Sequence, residues 1–450
     1  MSKRWCKHLV FKRTPRGTTI LLLASALVAL GLLEISSSGL ALVYAGVGLF
    51  LYYYTARLVL QLQMVSVNRL EVLREHLGRI SETDTMNVSL TIKNSTFLGV
   101  RTELLDSYPS YFELKGGSNS VIIGIPGHGQ SILEYDVQPT SIGKNDFGKV
   151  HLTTRDLAGL LFYERDIALS STVEVTPQAR EAVRGSLTAV AVSDYAGPQT
   201  SKKKGEGMEF TDIREYTYGD PFKRIEWKST ARTRRLMVRE LYAETPLNVM
   251  ILLDAAPSMA YGERGKTKLD YSARAVASLV AYLSRRGDFF GFTLVQGTGP
   301  ARVIPIARAQ LQIGRVFVEL GRLAPNPTNK GRLDQGVRRT VQLGRLKSRT
   351  LFFVVSDLET RGDLGALRQL VGMNHEVIII SPYSPLFEAH HLKRLDRMIY
   401  SINASQQWKE RSKMVHEASK LEILLLNVGP KDLFPQLVAR VEEQRRKGGS

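Results

Sequence analysis

Residues 247–259 read LNVMILLDAAPSM, a run of large apolar residues that stops at Asp254 and gives way to small ones as far as Ser258. A strand that is apolar on both faces must be covered on both faces, which points to a parallel sheet inside an α/β domain. Downstream the same kind of run recurs as FFGFTLV (289–295), ARVIPIA (301–307), TLFFVVSD (350–357), EVIIISP (376–382) and EILLLNV (422–428). Helix-period segments alternate with them at 268–287, 308–323, 333–346, 364–372 and 432–444. This alternation predicts a doubly wound α/β domain over 246–450. Ligands of such sheets bind outside the carboxyl ends of the strands, where the strand order reverses. Two strands end in aspartate, Asp254 and Asp357, so their carboxylates converge if the strands are neighbours there. Ser258, one turn beyond Asp254, and Thr328, in the loop APNPTNKGRLD (324–334), add hydroxyls. An oxygen-only set suits Mg²⁺ or Mn²⁺ rather than zinc. The bland alternative is a buried strand that simply ends.

Moving toward the N-terminus, residues 205–245 are charged and aromatic. Between Lys202 and Glu240 stand eleven Lys or Arg and seven Asp or Glu, with Phe210, Tyr216, Tyr218, Phe222 and Trp227 among them. Bases interleaved with aromatics can hold single-stranded nucleic acid. Here acids sit among the bases, which argues against a phosphate groove. The favoured reading pairs Arg214, Arg224 and Arg232 with Glu209, Glu215 and Asp220, and buries Trp227 as an anchor. Residues 178–204 lose all periodicity and end in SKKKG, a linker composition. Before them, 62–177 contains short alternating segments such as MNVSLTIKN (86–94) and SILEYDVQP (131–139), the pattern of an antiparallel β-sandwich.

The first 61 residues hold two uncharged stretches, Gly17–Leu33 and Ile35–Ala56. A helix needs about 20 such residues to cross a bilayer, so a transmembrane hairpin is expected. Lys3, Arg4, Lys7, Lys12, Arg13 and Arg16 precede it and Arg57, Arg69, Arg74 and Arg79 follow, whereas the connection carries only Glu34. The positive-inside rule then places both termini and the bulk of the chain in the cytoplasm. Much of the formal charge of +18 lies close to these spans, and the single cysteine, Cys6, excludes an internal disulfide framework.

The stretch ILLDAAPSM (251–259) resembles the first motif of von Willebrand factor A domains, whose Asp-x-Ser-x-Ser, loop threonine and later aspartate form a metal-ion-dependent adhesion site. The resemblance implies Asp254, Ser258, Thr328 and Asp357 as ligands and departs from the pattern at Ala256, where the first serine belongs. The stretch GMEFTDIREYTYGDPFKRIEWKSTARTRRLMVRE (207–240) is similar to the signature of the bacterial and archaeal family called domain of unknown function fifty-eight. The matching positions include Glu209, Phe210, Arg214, Glu215, Tyr216, Gly219, Asp220, Arg224, Trp227 and Arg232. The upstream TTRDLAGLLFYER (153–165) resembles the family's aspartate and glycine motif that closes the sandwich. The resemblance implies a membrane-anchored adaptor that works with a MoxR-type AAA+ ATPase on an unknown client protein.

Enzyme readings find little to rest on. The sequence has no Walker A, HExxH, GxSxG or paired-cysteine motif. The expectation is therefore a non-enzymatic adaptor whose A-like domain binds partners, with a degenerate Mg²⁺ or Mn²⁺ site. Two alternatives stay open: Mg²⁺-dependent phosphoester hydrolysis through Asp254 and Asp357, and a membrane-tethered nucleic-acid-binding protein.

Overall fold

The computed structural model describes residues 11–34, 37–178, 204–242, 246–260, 262–263, 265–296, 300–323, 333–347, 349–358, 363–391 and 405–448. The chain divides into two compact units, 1–175 and 176–450. The expected linker at 178–204 lies almost wholly outside the described residues.

The first unit opens with helices Pro15–Leu33 and Ser37–Val67. Both are long and apolar enough to cross a membrane. The second runs past residue 61, where the sequence placed the boundary. Buried positions recur every seven residues, at Gly17, Ala24 and Gly31 on one helix and at Gly39, Gly46, Tyr53, Leu60 and Val67 on the other, where Met64 and Ser66 are buried besides. Where Gly31 meets Gly39 and Gly46 meets Ala24, small residues let the two backbones approach closely, whereas Gly17 faces the Leu160 carbonyl and Tyr53 and Leu60 pack with Leu160 and Leu161. At Gly46 a Cβ would stand 2.8 Å from the Ala24 carbonyl oxygen and 2.6 Å from a Val28 methyl, so a larger residue does not fit. Thr14 caps the first helix by accepting from Gly17 N–H (3.1 Å), and its own hydroxyl donates to the Gly159 carbonyl (2.8 Å). The 153–165 motif thereby holds the helix start. Its Asp156 builds the turn by accepting from Ala158 N–H (3.1 Å) and Leu161 N–H (2.7 Å).

The rest of this unit is antiparallel. Strands Leu70–Glu75, Met86–Asn94, Gln130–Pro139 and Phe112–Gly117 form one sheet; Val100–Asp106, Ser120–Ile125, Val150–Arg155 and Leu161–Ile167 belong to a second, joined at its edge by Lys12–Arg13. A short third sheet holds Arg79–Ser81, Thr172–Thr176 and Gly143–Asp146. Strand alternation sends Met86, Val88, Leu90 and Ile92 inward, all fully buried, into a core shared by the three sheets. An ion pair is buried there: Arg74 grips Asp106 with two nitrogens, and Tyr135 donates to the same carboxylate (2.6 Å). The arginine's remaining N–H groups go to the carbonyls of Leu169 and Gly148 (3.0 Å each), so the pair is satisfied on all sides. The structure thus bears out the antiparallel reading.

In the second unit a hairpin, Lys204–Glu215 with Met237–Tyr242, precedes a six-stranded sheet. Across that sheet the order is Arg302–Arg308, Phe289–Val295, Asn248–Asp254, Leu351–Val355, Glu376–Pro382, Leu424–Val428. All neighbours are parallel except the first pair. Met250, Leu252, Phe352, Val354, Val377 and Ile379 share a core with helices Leu333–Leu343, Asp363–Gly372 and Ser405–Lys420. The alternate residues Val249, Ile251 and Leu253 are equally buried on the opposite face. There helices Lys268–Arg286, Ala309–Gly321 and Leu433–Gly448 pack on one another and on the sheet. The Ser405–Lys420 helix was not foreseen in the sequence. From the central strand the chain goes first to one side and then, by Leu351–Val355, to the other, so the order reverses between Asn248–Asp254 and Leu351–Val355.

Candidate functional site

The reversal point is where the two aspartates were expected, and the register brings them there. Leu253 pairs with Val355, so Asp254 and the dipeptide Ser356–Asp357 leave the sheet side by side. Asp254, Ser258 and Asp357 are all buried, as is Ser356. Asp254 accepts from Ala256 N–H (3.1 Å) through one oxygen and from the Ser356 hydroxyl (2.7 Å) through the other. Asp357 accepts from the Ser258 hydroxyl (3.0 Å) and, on its second oxygen, from the Lys268 ammonium (2.6 Å). The backbone turns sharply at Leu358, whose φ of 54° is left-handed, with Leu358 N–H donating to Ser356 Oγ (3.2 Å). Three of the four expected ligand residues therefore meet in one crevice, and Thr328 lies outside the described residues.

Lys268 is the residue that sequence reading did not single out. It is the first residue of a helix whose cap, Thr267, accepts from Asp270 N–H (3.1 Å) while Asp270 accepts from Thr267 N–H (3.1 Å). This capping box fixes the direction of the first turn and aims the ammonium inward. The Lys268 and Asp357 side chains are 4% and 5% exposed, and Lys268 also donates to Ser384 Oγ (3.0 Å). The signal available in the sequence was the box itself, TKLD, which puts a lysine at the first helical position beside strand ends.

This geometry bears directly on a divalent ion. Mg²⁺ needs near-octahedral oxygen donors with several open positions. Among the described residues the crevice offers two carboxylates and the Ser258 and Ser356 hydroxyls, all already hydrogen-bonded to protein, and a cation stands 2.6 Å from Asp357. No group of three or more His, Cys, Asp or Glu that could hold a metal occurs among the described residues. At Ala256 the backbone amide, not a hydroxyl, faces Asp254. The described donor set does not fit Mg²⁺ or Mn²⁺ while Lys268 is in place.

The second group of expected residues lies on the hairpin. Arg214 meets Asp220 with two parallel bonds (2.6 Å each), and Thr217 N–H donates to the same carboxylate (2.9 Å). These contacts hold Asp220 well below the ordinary carboxylate range, with the Arg214 bond as the largest cause. Gly219 closes the turn at φ 107°. Beyond it Ile225 bridges to Val238, both buried, and Glu226 pairs with Arg239. Glu215 pairs with Arg235 (2.5 Å), not with Arg224 or Arg232. Glu209 and Phe210 lie in the first strand of the hairpin, but their side chains fall outside those described. Tyr216 sits beside Phe222, ring centroids 6.0 Å apart. One expectation is corrected. Trp227 is not a buried anchor: it begins a short surface helix and is 66% exposed, because Ile225 and Val238 already fill the space beneath the loop. Phe222 is 72% exposed and Tyr218 fully so.

Residues 212–386 match the family model described as Protein of unknown function DUF58. The match takes in most of the hairpin and the crevice residues from Asp254 to Ser384. Uncharacterized proteins of Mycobacterium tuberculosis and Mycobacterium bovis are 26% identical over 183 residues, 40% of this chain and 56% of theirs. The chain thus spans about half the length of the curated relatives it matches. Among solved structures, the conserved hypothetical protein BatB of Bacteroides thetaiotaomicron aligns at 14% identity over 44% of this chain and 99% of its own, with a TM-score of 0.30. A CARDB domain from Pyrococcus furiosus aligns at 14% identity over 24% of this chain and 86% of its own, TM-score 0.17.

Proposed function

We propose that the chain is a membrane-anchored, non-enzymatic adaptor. The two N-terminal helices hold it at the bilayer, with both termini in the cytoplasm, and its von Willebrand A-like domain binds protein partners. The partners of this reading are a MoxR-type AAA+ ATPase and the client that the pair assembles or matures. One observation carries it: Tyr218, Phe222 and Trp227 are presented to solvent on a loop that is itself fixed by the Arg214–Asp220 and Glu226–Arg239 pairs. Large aromatic rings are costly to leave in water, and rigidly held aromatics among arginines are the residues that dominate protein interfaces. In the same reading the crevice keeps Lys268 as its resident cation, so partner binding needs no divalent ion.

The test is capture from native membranes under nucleotide-trapping conditions. Recovery of a AAA+ ATPase with the intact chain, and its loss in Tyr218→Ala/Trp227→Ala, is the expected result; both side chains are exposed, so that variant should fold normally. Recovery of no ATPase, or equal recovery with the variant, would overturn the proposal. A parallel assay of phosphoester turnover that is abolished by Asp254→Asn would replace it with the hydrolase reading.

A further inference from the structure

Next to the crevice, the ends of strands Leu351–Val355 and Glu376–Pro382 and the Ser405–Lys420 helix border an open cavity of about 690 Å³. Tyr383, Ser384 and Arg411 line it together with Asp357. Arg411 is 5% exposed, and each acceptor it meets is uncharged. Its Nε donates to Asn427 Oδ1 (2.6 Å), Nη1 to the Asp357 carbonyl (3.0 Å) and the Met414 sulfur (3.2 Å), and Nη2 to the Ser381 hydroxyl. A guanidinium has five N–H groups, so one is left over and another is spent on a weak thioether acceptor. The Asp357 carboxylate, whose charge acts on Arg411, has both oxygens engaged by Ser258 and Lys268.

Tyr383 lies under this guanidinium, 5.4 Å from ring centroid to Cζ, and is 9% exposed. Its hydroxyl is buried and has no hydrogen-bond partner. Ser384 accepts from Lys268 and keeps its own hydrogen to give. Burial pushes the Arg411 pKa down and the Tyr383 pKa up, and in each case dehydration outweighs the nearby opposite charge, Asp357 for the guanidinium and Arg411 for the phenol. A buried cation with only neutral acceptors and a buried hydroxyl with none are both costly arrangements. Each would be relieved by the same thing, a negatively charged acceptor in the cavity.

We propose that this cavity binds a carboxylate, held by Arg411, Tyr383 and Ser384. Its volume is that of a small-ligand pocket, large enough for an acidic side chain and its flanking peptide. The exposed rim carries Glu410 and Glu417 beside Lys413. A doubly charged phosphate would be repelled by those two acids more strongly than a singly charged carboxylate. Resting on the adaptor reading, the source of the carboxylate is an Asp or Glu side chain of the partner.

Calorimetry on the full-length chain in detergent micelles tests this with three probes: glutarate, an acetylated and amidated Ala-Glu-Ala tripeptide, and inorganic phosphate. Both carboxylate probes should bind. Tyr383→Phe removes only an oxygen without a partner, so the fold should be as stable or more so, while binding weakens about tenfold, the scale of one charge-assisted hydrogen bond. Arg411→Lys should weaken it further. The inference falls if neither carboxylate binds at millimolar concentration, if Tyr383→Phe leaves binding unchanged, or if phosphate binds more tightly. Binding of glutarate without the tripeptide keeps the site and removes the partner as its source. Intact carboxylate binding with failed ATPase capture would sink the adaptor reading alone.

Discussion

At the scale of single residues, the decisive one is Lys268. Its ammonium and the Asp357 carboxylate are both withdrawn from water, and breaking such a pair on one side leaves an uncompensated buried charge at a cost of about 3–5 kcal/mol. Lys268→Met should therefore destabilise the α/β unit by that amount, measured by amide hydrogen exchange of its central strands. Lys268→Met combined with Asp357→Leu should recover most of the loss, since an apolar pair of similar volume is often tolerated there. A cost below about 1 kcal/mol for the single variant would mean that the ammonium is not the resident charge of the crevice. Millimolar Mn²⁺ should leave exchange in the wild type unchanged. Protection by Mn²⁺ that disappears in Asp357→Asn would restore the metal reading. Asp254, Ser258 and Asp357 were legible because strand ends and small residues announce a crevice. Lys268 was not, because a lysine in the first turn of a helix ordinarily reads as solvated, and only the register of the cap turns it inward. Trp227 failed in the opposite sense: an aromatic in a charged stretch reads as an anchor, but burial depends on what already fills the space beneath it.

At the scale of elements, the Lys268–Arg286 helix places that ammonium, and its first turn depends on a buried capping box. Thr267 and Asp270 are 5% and 6% exposed, so water cannot replace the bonds they exchange. Thr267→Ala should cost about 1–2 kcal/mol, the upper part of the range for lost caps. Thr267→Ser, which keeps the oxygen, should recover most of it, as judged by protection of the first two turns against hydrogen exchange. Equal losses for Ala and Ser would show that the methyl's packing, not the cap, is what matters. Periodicity alone located this helix and the strands Phe289–Val295 and Glu376–Pro382, because continuous apolar runs leave little choice of partner. The Ser405–Lys420 helix went unread because SQQWKERSKMVHEASK has few apolar residues and contacts the sheet along a narrow stripe that includes Ala418. Arg411 sits on that unread element, which is why the cavity beside the crevice had no counterpart in the sequence reading. The edge strand Arg302–Arg308 runs antiparallel and so departs from the parallel sheet its apolar run suggested, since direction is set by connection geometry and not by composition.

At the scale of the whole molecule, what matters is where the positive charge lies. The excess of 61 Lys and Arg over 43 Asp and Glu includes bases on both flanks of the helical pair, while the described residues between the helices end in Glu34. Bases within about 15–20 residues of a span tend to be retained on the cytoplasmic side, so the proposed topology has both flanks inside and the short connection outside. The close approach of the two helices at Gly31, Gly39 and Gly46 supports their proposed insertion as a pair. Cys6 is the only thiol in the chain and offers a direct reading. A membrane-impermeant maleimide added to intact cells should leave Cys6 unlabelled until the membrane is opened. A Cys6→Ser chain carrying Ser37→Cys, at an exposed position in the first turn of the second helix, should be labelled from outside without opening. Labelling of Cys6 from outside would invert the assignment and put the crevice, the hairpin and the cavity on the side away from ATP, where a cytoplasmic ATPase could not reach them. The topology and the partner therefore stand or fall together in that one respect, although the Lys268 crevice and the carboxylate cavity depend on neither.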